Sequence, residues 1–130
     1  IPSEFGTNTK MKDFQLFDNY LTHLIPSQIG NMVTLTSNFN INSNQFNGSI
    51  PSQLGRFIKL KTSFSLKSNQ FSHSLPSELG MLVSLTNVFL INNNLFTGSI
   101  PSELAQLTKL SDSTSASTSM DLNNNLFCGD

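Results

Sequence analysis

The stretch LTSNFNINSNQFNGSIPSQLG, residues 35–55, is nearly restated as LTNVFLINNNLFTGSIPSELA at residues 85–105. Aligned, the two put like side chains in like places: Leu35 with Leu85, Phe39 and Ile41 with Phe89 and Ile91, Asn44 with Asn94, Phe46 with Phe96, and Leu54 with Leu104. Working outward, Pro2, Pro26, Pro51, Pro76 and Pro101 each open a version of one phrase: IPSEFG, IPSQIG, IPSQLG, LPSELG and IPSELA. A unit of about 25 residues is one supersecondary element that cannot bury its own apolar face and must stack on its neighbours, so the period predicts a solenoid.

Cut before each Ile/Leu-Pro, the chain is a single array, residues 1–130, of five repeats: 1–24, 25–49, 50–74, 75–99 and 100–130. One apolar column holds Phe5, Ile29, Leu54, Leu79 and Leu104, and a second holds Met11, Leu35, Leu60, Leu85 and Leu110. A pair with period two follows: Phe14 with Leu16, Phe39 with Ile41, Phe64 with Leu66, Phe89 with Ile91, Met120 with Leu122. That alternation predicts a short strand with one buried face. Asn19, Asn44, Asn69, Asn94 and Asn125 come three residues later, then Leu21, Phe46, Phe71, Phe96 and Phe127. The Asn column is read as structural, because a chain turning out of a strand leaves backbone groups that stacked amides can satisfy. The Phe columns are read as two apolar spines.

The composition narrows the classes of function. A formal net charge of -1 and 12% charged residues give no basic field for nucleic acid or an anionic membrane, so neither is expected as a partner of this segment. One cysteine, Cys128, forms no internal disulfide, and no apolar run reaches the ~20 residues of a membrane span. Neither end carries a polar cap, so the array is expected to be a piece of a longer one, with flanking repeats as its immediate partners.

These phased residues resemble the plant-type, extracellular leucine-rich repeat. The resemblance implies an α/β, right-handed solenoid or horseshoe. Its concave face would be a parallel sheet of short strands, with a second extended segment near G-x-I-P and loose or 3-10 returns on the convex side. It also implies a non-catalytic recognition or scaffold module of a receptor-like or secreted protein, extracellular or at the cell surface, with a protein, peptide or glycan ligand. NNNLFCGD resembles the last repeats of such arrays, which implies that Cys128 pairs with a cysteine outside this sequence. The familiar repeat is 24 residues; the middle three here have 25, with an extra residue between Leu35 and Phe39 and its equivalents, where a bulge is expected.

On the expected concave face the candidate ligand-binding residues are Gln15 and Phe17; Asn38, Asn40 and Asn42; Ser63, Ser65 and Lys67; Val88, Leu90 and Asn92; Asp121 and Asn123. All are expected to face solvent. Asn and Ser in repeated columns raise ice binding as an alternative, and a purely structural array as another. Asn47-Gly48-Ser49 is the N-glycosylation sequon, provided the protein is secreted. No catalytic constellation, cofactor motif or metal site is expected: His23 and His73 share a column two rungs apart, and Glu78 and Glu103 sit where Gln28 and Gln53 stand in other repeats. Lys10, Lys59 and Lys109 share a column near Arg56 and Lys61, read as a solvated convex face. Ser111 to Ser119 reads as a flexible excursion.

Overall fold

The computed structural model describes residues 1–110 and 119–129. Its strands are β1 (Phe14–Gln15), β2 (Thr22–His23), β3 (Asn38–Asn40), β4 (Gln45–Gly48), β5 (Ser63–Ser65), β6 (Gln70–His73), β7 (Val88–Leu90), β8 (Leu95–Phe96) and β9 (Ser119–Asp121). The odd strands form a five-stranded parallel sheet in the order β1-β3-β5-β7-β9, and the even ones a four-stranded parallel sheet, β2-β4-β6-β8. Between each even strand and the next odd one runs a 3-10 return: η1 (Ser3–Thr7) precedes β1, and η2 (Ser27–Asn31), η3 (Ser52–Arg56), η4 (Ser77–Met81) and η5 (Ser102–Gln106) follow in register, with a short η6 (Thr108–Leu110) after them. Proline starts each of the five because its fixed φ suits the entry to a helical turn and its missing N–H is not needed there.

Alternation places the period-two pairs inward, and the register stacks them: Phe14 on Phe39, Phe39 on Phe64, Phe64 on Phe89. Their rings lie 5.5, 5.7 and 5.4 Å apart and nearly parallel. The second spine runs Phe46, Phe71, Phe96, Phe127 at 6.1, 6.2 and 6.2 Å. A fully buried Phe contributes roughly 1.5–3 kcal/mol, and a stacked aromatic pair about 0.5–1.5 kcal/mol beyond that, so the two spines are the main cohesive element between rungs.

The Asn column acts as the sequence predicts. Asn94 Nδ2 donates to the carbonyls of Leu66, Ile91 and Asn92, and its Oδ1 accepts from the Phe71 N–H. Asn44, Asn69 and Asn125 repeat this pattern, each joining its own turn to the preceding rung. Asn19 has no preceding rung and bonds only the carbonyls of Leu16 and Phe17. The turn that each amide braces passes through a left-handed residue: Asp18, Ser43, Ser68, Asn93 and Asn124 all have φ of 53–55°.

The extra residue of the longer repeats is absorbed where it was expected. The Lys12 carbonyl accepts from both Thr36 N–H and Ser37 N–H, two residues against one, before β1 and β3 pair regularly. On the return side Gly6, Gly30, Gly55 and Gly80 allow close stacking, since a Cβ at any of them would overlap the backbone carbonyl of Gln28, Gln53, Glu78 or Glu103 on the next rung.

Three details differ from the sequence reading. Two further columns are buried: Ile25, Ile50 and Leu75 at the Ile/Leu-Pro, and Met32, Phe57, Leu82 and Leu107 after the 3-10 turn, with the Phe57 ring 5.2 Å from Phe39. Phe5 is exposed, yet it lies edge-on to Phe14 at 5.8 Å and helps to bury it. Both ends of the stack are open in part: Met11, Leu16 and Leu21 at one end and Leu122 and Phe127 at the other are only partly buried, but Phe14 is buried beneath Phe5 whereas its equivalent Met120 is exposed. Apart from Ser119, the excursion expected at Ser111–Ser119 lies outside the described residues.

Candidate functional site

Because β1, β3, β5, β7 and β9 pair in one register, the residues that alternate with the buried spine form ordered rows on the open side of the sheet. Each rung presents different chemistry there. Rung one shows Asp13, Gln15 and Phe17; rung two three amides, Asn38, Asn40 and Asn42; rung three Ser63, Ser65 and Lys67; rung four Val88, Leu90 and Asn92; the last includes Asp121 and Asn123. Gln15, Phe17 and Asn123 are exposed, and most of the others are half-buried between neighbouring rows.

Asn42 and Ser65 correct the expectation that all of these residues face solvent. Asn42 is 8% exposed and Ser65 3%. Ser65 is short and stands in register between the longer Asn40 and Leu90, which overtop it. Asn42 is tied down locally, its N–H on Asn40 Oδ1 and its amide on Ser43 Oγ. The period of two reports which face a side chain is on, and the neighbours' lengths decide whether water reaches it.

Polar groups near the ends of the sheet are mostly engaged. Asn38 and Gln15 donate to the Asp13 carboxylate, and the Asp121 carboxylate accepts from the Asn123 N–H. The centre differs: Ser65 Oγ and Asn92 Oδ1 are buried without a protein partner, on the two rungs that also carry Lys67 and the Val88–Leu90 step. A buried polar atom left unpaired costs about 1–3 kcal/mol, so two of them on adjacent rungs mark the least satisfied part of this face.

The other sequence candidates do not converge. His23 and His73 are exposed, occupy left-handed conformations at φ 73° and 68°, and contact the hydroxyls of Thr22 and Ser72 through Nδ1. Among the described residues, no group of three or more His, Cys, Asp or Glu could hold a metal ion. Glu78 and Glu103 are exposed on the 3-10 returns, Asn47 is exposed on β4, and Cys128 is exposed and free. No described helix is long and apolar enough to cross a membrane.

The sequence profile of the family Leucine Rich Repeat matches residues 84–107. Among solved structures, that of a TDR receptor superposes with a TM-score of 0.85 at 30% identity, over 98% of this chain and 20% of its own. The ectodomain of the Arabidopsis receptor kinase HAESA, in complex with an N-terminally extended IDA peptide hormone, gives a TM-score of 0.80 at 35% identity, over 98% of this chain and 20% of its own. A plant ice-binding protein gives 0.72 at 25% identity, over 82% of this chain and 33% of its own. No curated protein sequence matches the chain. Two parallel sheets of short strands joined by 3-10 turns, with a repeating Asn ladder, define a leucine-rich-repeat solenoid. The chain is a leucine-rich-repeat protein of the plant extracellular type, and it spans about a fifth of the length of the receptor structures it matches.

Proposed function

We propose that this chain is a non-catalytic recognition module that binds a protein or peptide ligand across its five-stranded face, within a receptor-like or secreted protein outside the cell. The observation that carries the reading is the change of chemistry from rung to rung: amides on the second, hydroxyls and a cation on the third, an apolar step on the fourth, an acid on the fifth. Such a row suits a ligand whose own side chains vary along its length. The solved HAESA ectodomain, a structural neighbour, is in complex with a peptide hormone. Asn47, exposed on β4 away from that face, is the proposed N-glycan site.

A second reading is ice binding, favoured by the likeness to a plant ice-binding protein and by the three amides of the second rung. An ice surface repeats, however, and Phe17, Lys67, Leu90 and Asp121 interrupt any lattice of small polar groups on this sheet. A purely structural array is the third reading. One experiment separates them: selection of displayed random peptides and of a glycan array on the folded chain and on its Lys67→Glu/Leu90→Lys variant, with thermal hysteresis measured on both. Peptide binders that the variant loses support the proposal. Glycan binders lost in the same way transfer the face to a saccharide ligand, hysteresis transfers it to ice, and a blank in every assay leaves the structural reading.

A further inference from the structure

A second surface, on the flank between the 3-10 returns and the entry to the five-stranded sheet, combines two features that the fold does not require. The first is an apolar ladder. The buried column Met32, Phe57, Leu82 already fills the core behind this flank, yet the next residue on the same three rungs is again apolar and points outward: Val33, Ile58 and Val83 are 41%, 47% and 44% exposed. Rungs one and five carry Thr9 and Thr108 in the same place, so the stack tolerates a polar residue there. Single exposed apolar residues need no explanation, but a row of β-branched ones repeated on adjacent rungs does. With Met81, Arg56 and Lys59, the first two residues of that row line a shallow groove of about 380 Å³.

The second feature is charge. Of the seven Lys and Arg residues in a chain of net charge -1, six lie on this flank: Lys10, Lys12, Arg56, Lys59, Lys61 and Lys109. All six are exposed, and none is ion-paired among the described residues. The corresponding segments, 7–12, 31–37, 56–62, 81–87 and 106–110, contain no Asp or Glu. Of the acids among the described residues, Glu4, Glu78 and Glu103 lie in the first turn of the 3-10 returns and Asp13, Asp18 and Asp121 at the sheet; Asp112 and Asp130 lie outside the described residues. Arg56 reaches across a rung to donate to Asn31 Oδ1 at 3.1 Å, which holds a guanidinium at the edge of the groove, while Lys59 lines it as well.

We infer that this flank is a docking surface for an acidic segment of a protein partner, which lays an apolar side chain in the groove between Val33, Ile58 and Met81 and sets carboxylates against Arg56 and Lys59. Charge complementarity gives the sign of the partner, and the groove gives its form. A concave, apolar-lined hollow takes a protruding side chain, which a polyanion lacks. A membrane surface is better met by protruding anchors, and the aromatic residues that serve at such an interface are absent from this flank. The inference is independent of the reading of the five-stranded face.

The test uses the folded chain and a fluorescein-labelled peptide of Glu and Asp with a central pair of leucines, titrated by fluorescence anisotropy. Polyglutamate and phosphatidylserine-containing vesicles are titrated in parallel. Saturable peptide binding is expected, weakened at least tenfold by Ile58→Asp, by Val33→Asp and by Arg56→Glu/Lys59→Glu, reduced by added salt, and unchanged by Gln70→Glu on β6 of the four-stranded sheet. Val33, Arg56, Ile58, Lys59 and Gln70 are all exposed, and circular dichroism checks that each variant keeps its fold. The inference is overturned by absence of peptide binding, by binding indifferent to these substitutions, by polyglutamate competing as well as the peptide, or by vesicles binding in preference to it.

Discussion

Replacing Asn94 with Ala tests whether the amide ladder, rather than apolar stacking alone, holds the rungs in register. Asn94, on the fourth of the five rungs, is 6% exposed, and its side chain joins the carbonyls of Leu66, Ile91 and Asn92 to the Phe71 N–H. An amide has two N–H donors, so its three donor contacts share two hydrogens, and the loss amounts to three hydrogen bonds at about 1 kcal/mol each, or about 3 kcal/mol. The Phe71 N–H, buried in β6 where water does not reach, keeps that loss from being made good by solvent. For a domain of this size, the change lowers the midpoint of thermal unfolding by about 10 °C. Asn19 is the internal control, because it occupies the same column, is exposed, and bonds only two carbonyls of its own turn. Asn19→Ala is expected to cost under about 1 kcal/mol. Urea unfolding and calorimetry of both variants supply the comparison, and equal losses at the two positions refute the argument that inter-rung amide bonds add to the cohesion that the Phe spines provide.

Gly55→Ala is expected to be more damaging than its single methyl suggests, by roughly 2–4 kcal/mol, because the new Cβ overlaps the Glu78 carbonyl and a packed backbone cannot yield; a melting curve within a degree of the parent contradicts this. His73→Gly is expected to raise stability by about 0.5–1 kcal/mol, since Gly48 and Gly98 occupy the same left-handed position without strain, and denaturant midpoints check it. Secreted from a eukaryotic host, the chain is expected to run heavier on a gel until treated with an endoglycosidase, and Asn47→Gln is expected to abolish the difference.

Much of this architecture is written in side-chain type at a fixed period, and the parts that were not follow a pattern. The Phe spines, the strand positions and the Asn ladder could be read because each column keeps one kind of residue on every rung. The Met32, Phe57, Leu82 column escaped because its first-rung equivalent is Asn8, which hides the apolar character, and because Val33, Ile58 and Val83 follow directly and blur the period. Ser65 and Asn42 were placed on the right face yet given the wrong exposure, since exposure there depends on Asn40, Leu90 and Ser43, and a column read alone carries no information about its neighbours' lengths. The covering of Phe14 by Phe5 is hidden as well, because Phe5 shares a column with Ile29, Leu54, Leu79 and Leu104, and only the lack of a preceding rung leaves it exposed against the Phe14 ring. The rung-by-rung chemistry of the sheet was visible throughout. That Ser65 Oγ and Asn92 Oδ1 are unpartnered was not visible, because it depends on the side chains of adjacent rungs and not on the column each belongs to.

The most direct test of the recognition reading is backbone amide chemical-shift mapping of the isotope-labelled chain, titrated with the tightest peptide selected on it. The account predicts saturable shifts concentrated at Ser63–Lys67 and Val88–Asn92, where a cation, an apolar step and two unpartnered polar atoms adjoin. Shifts confined to β4 and β6 of the four-stranded sheet, or an absence of shifts on the five-stranded face at saturation, contradict it.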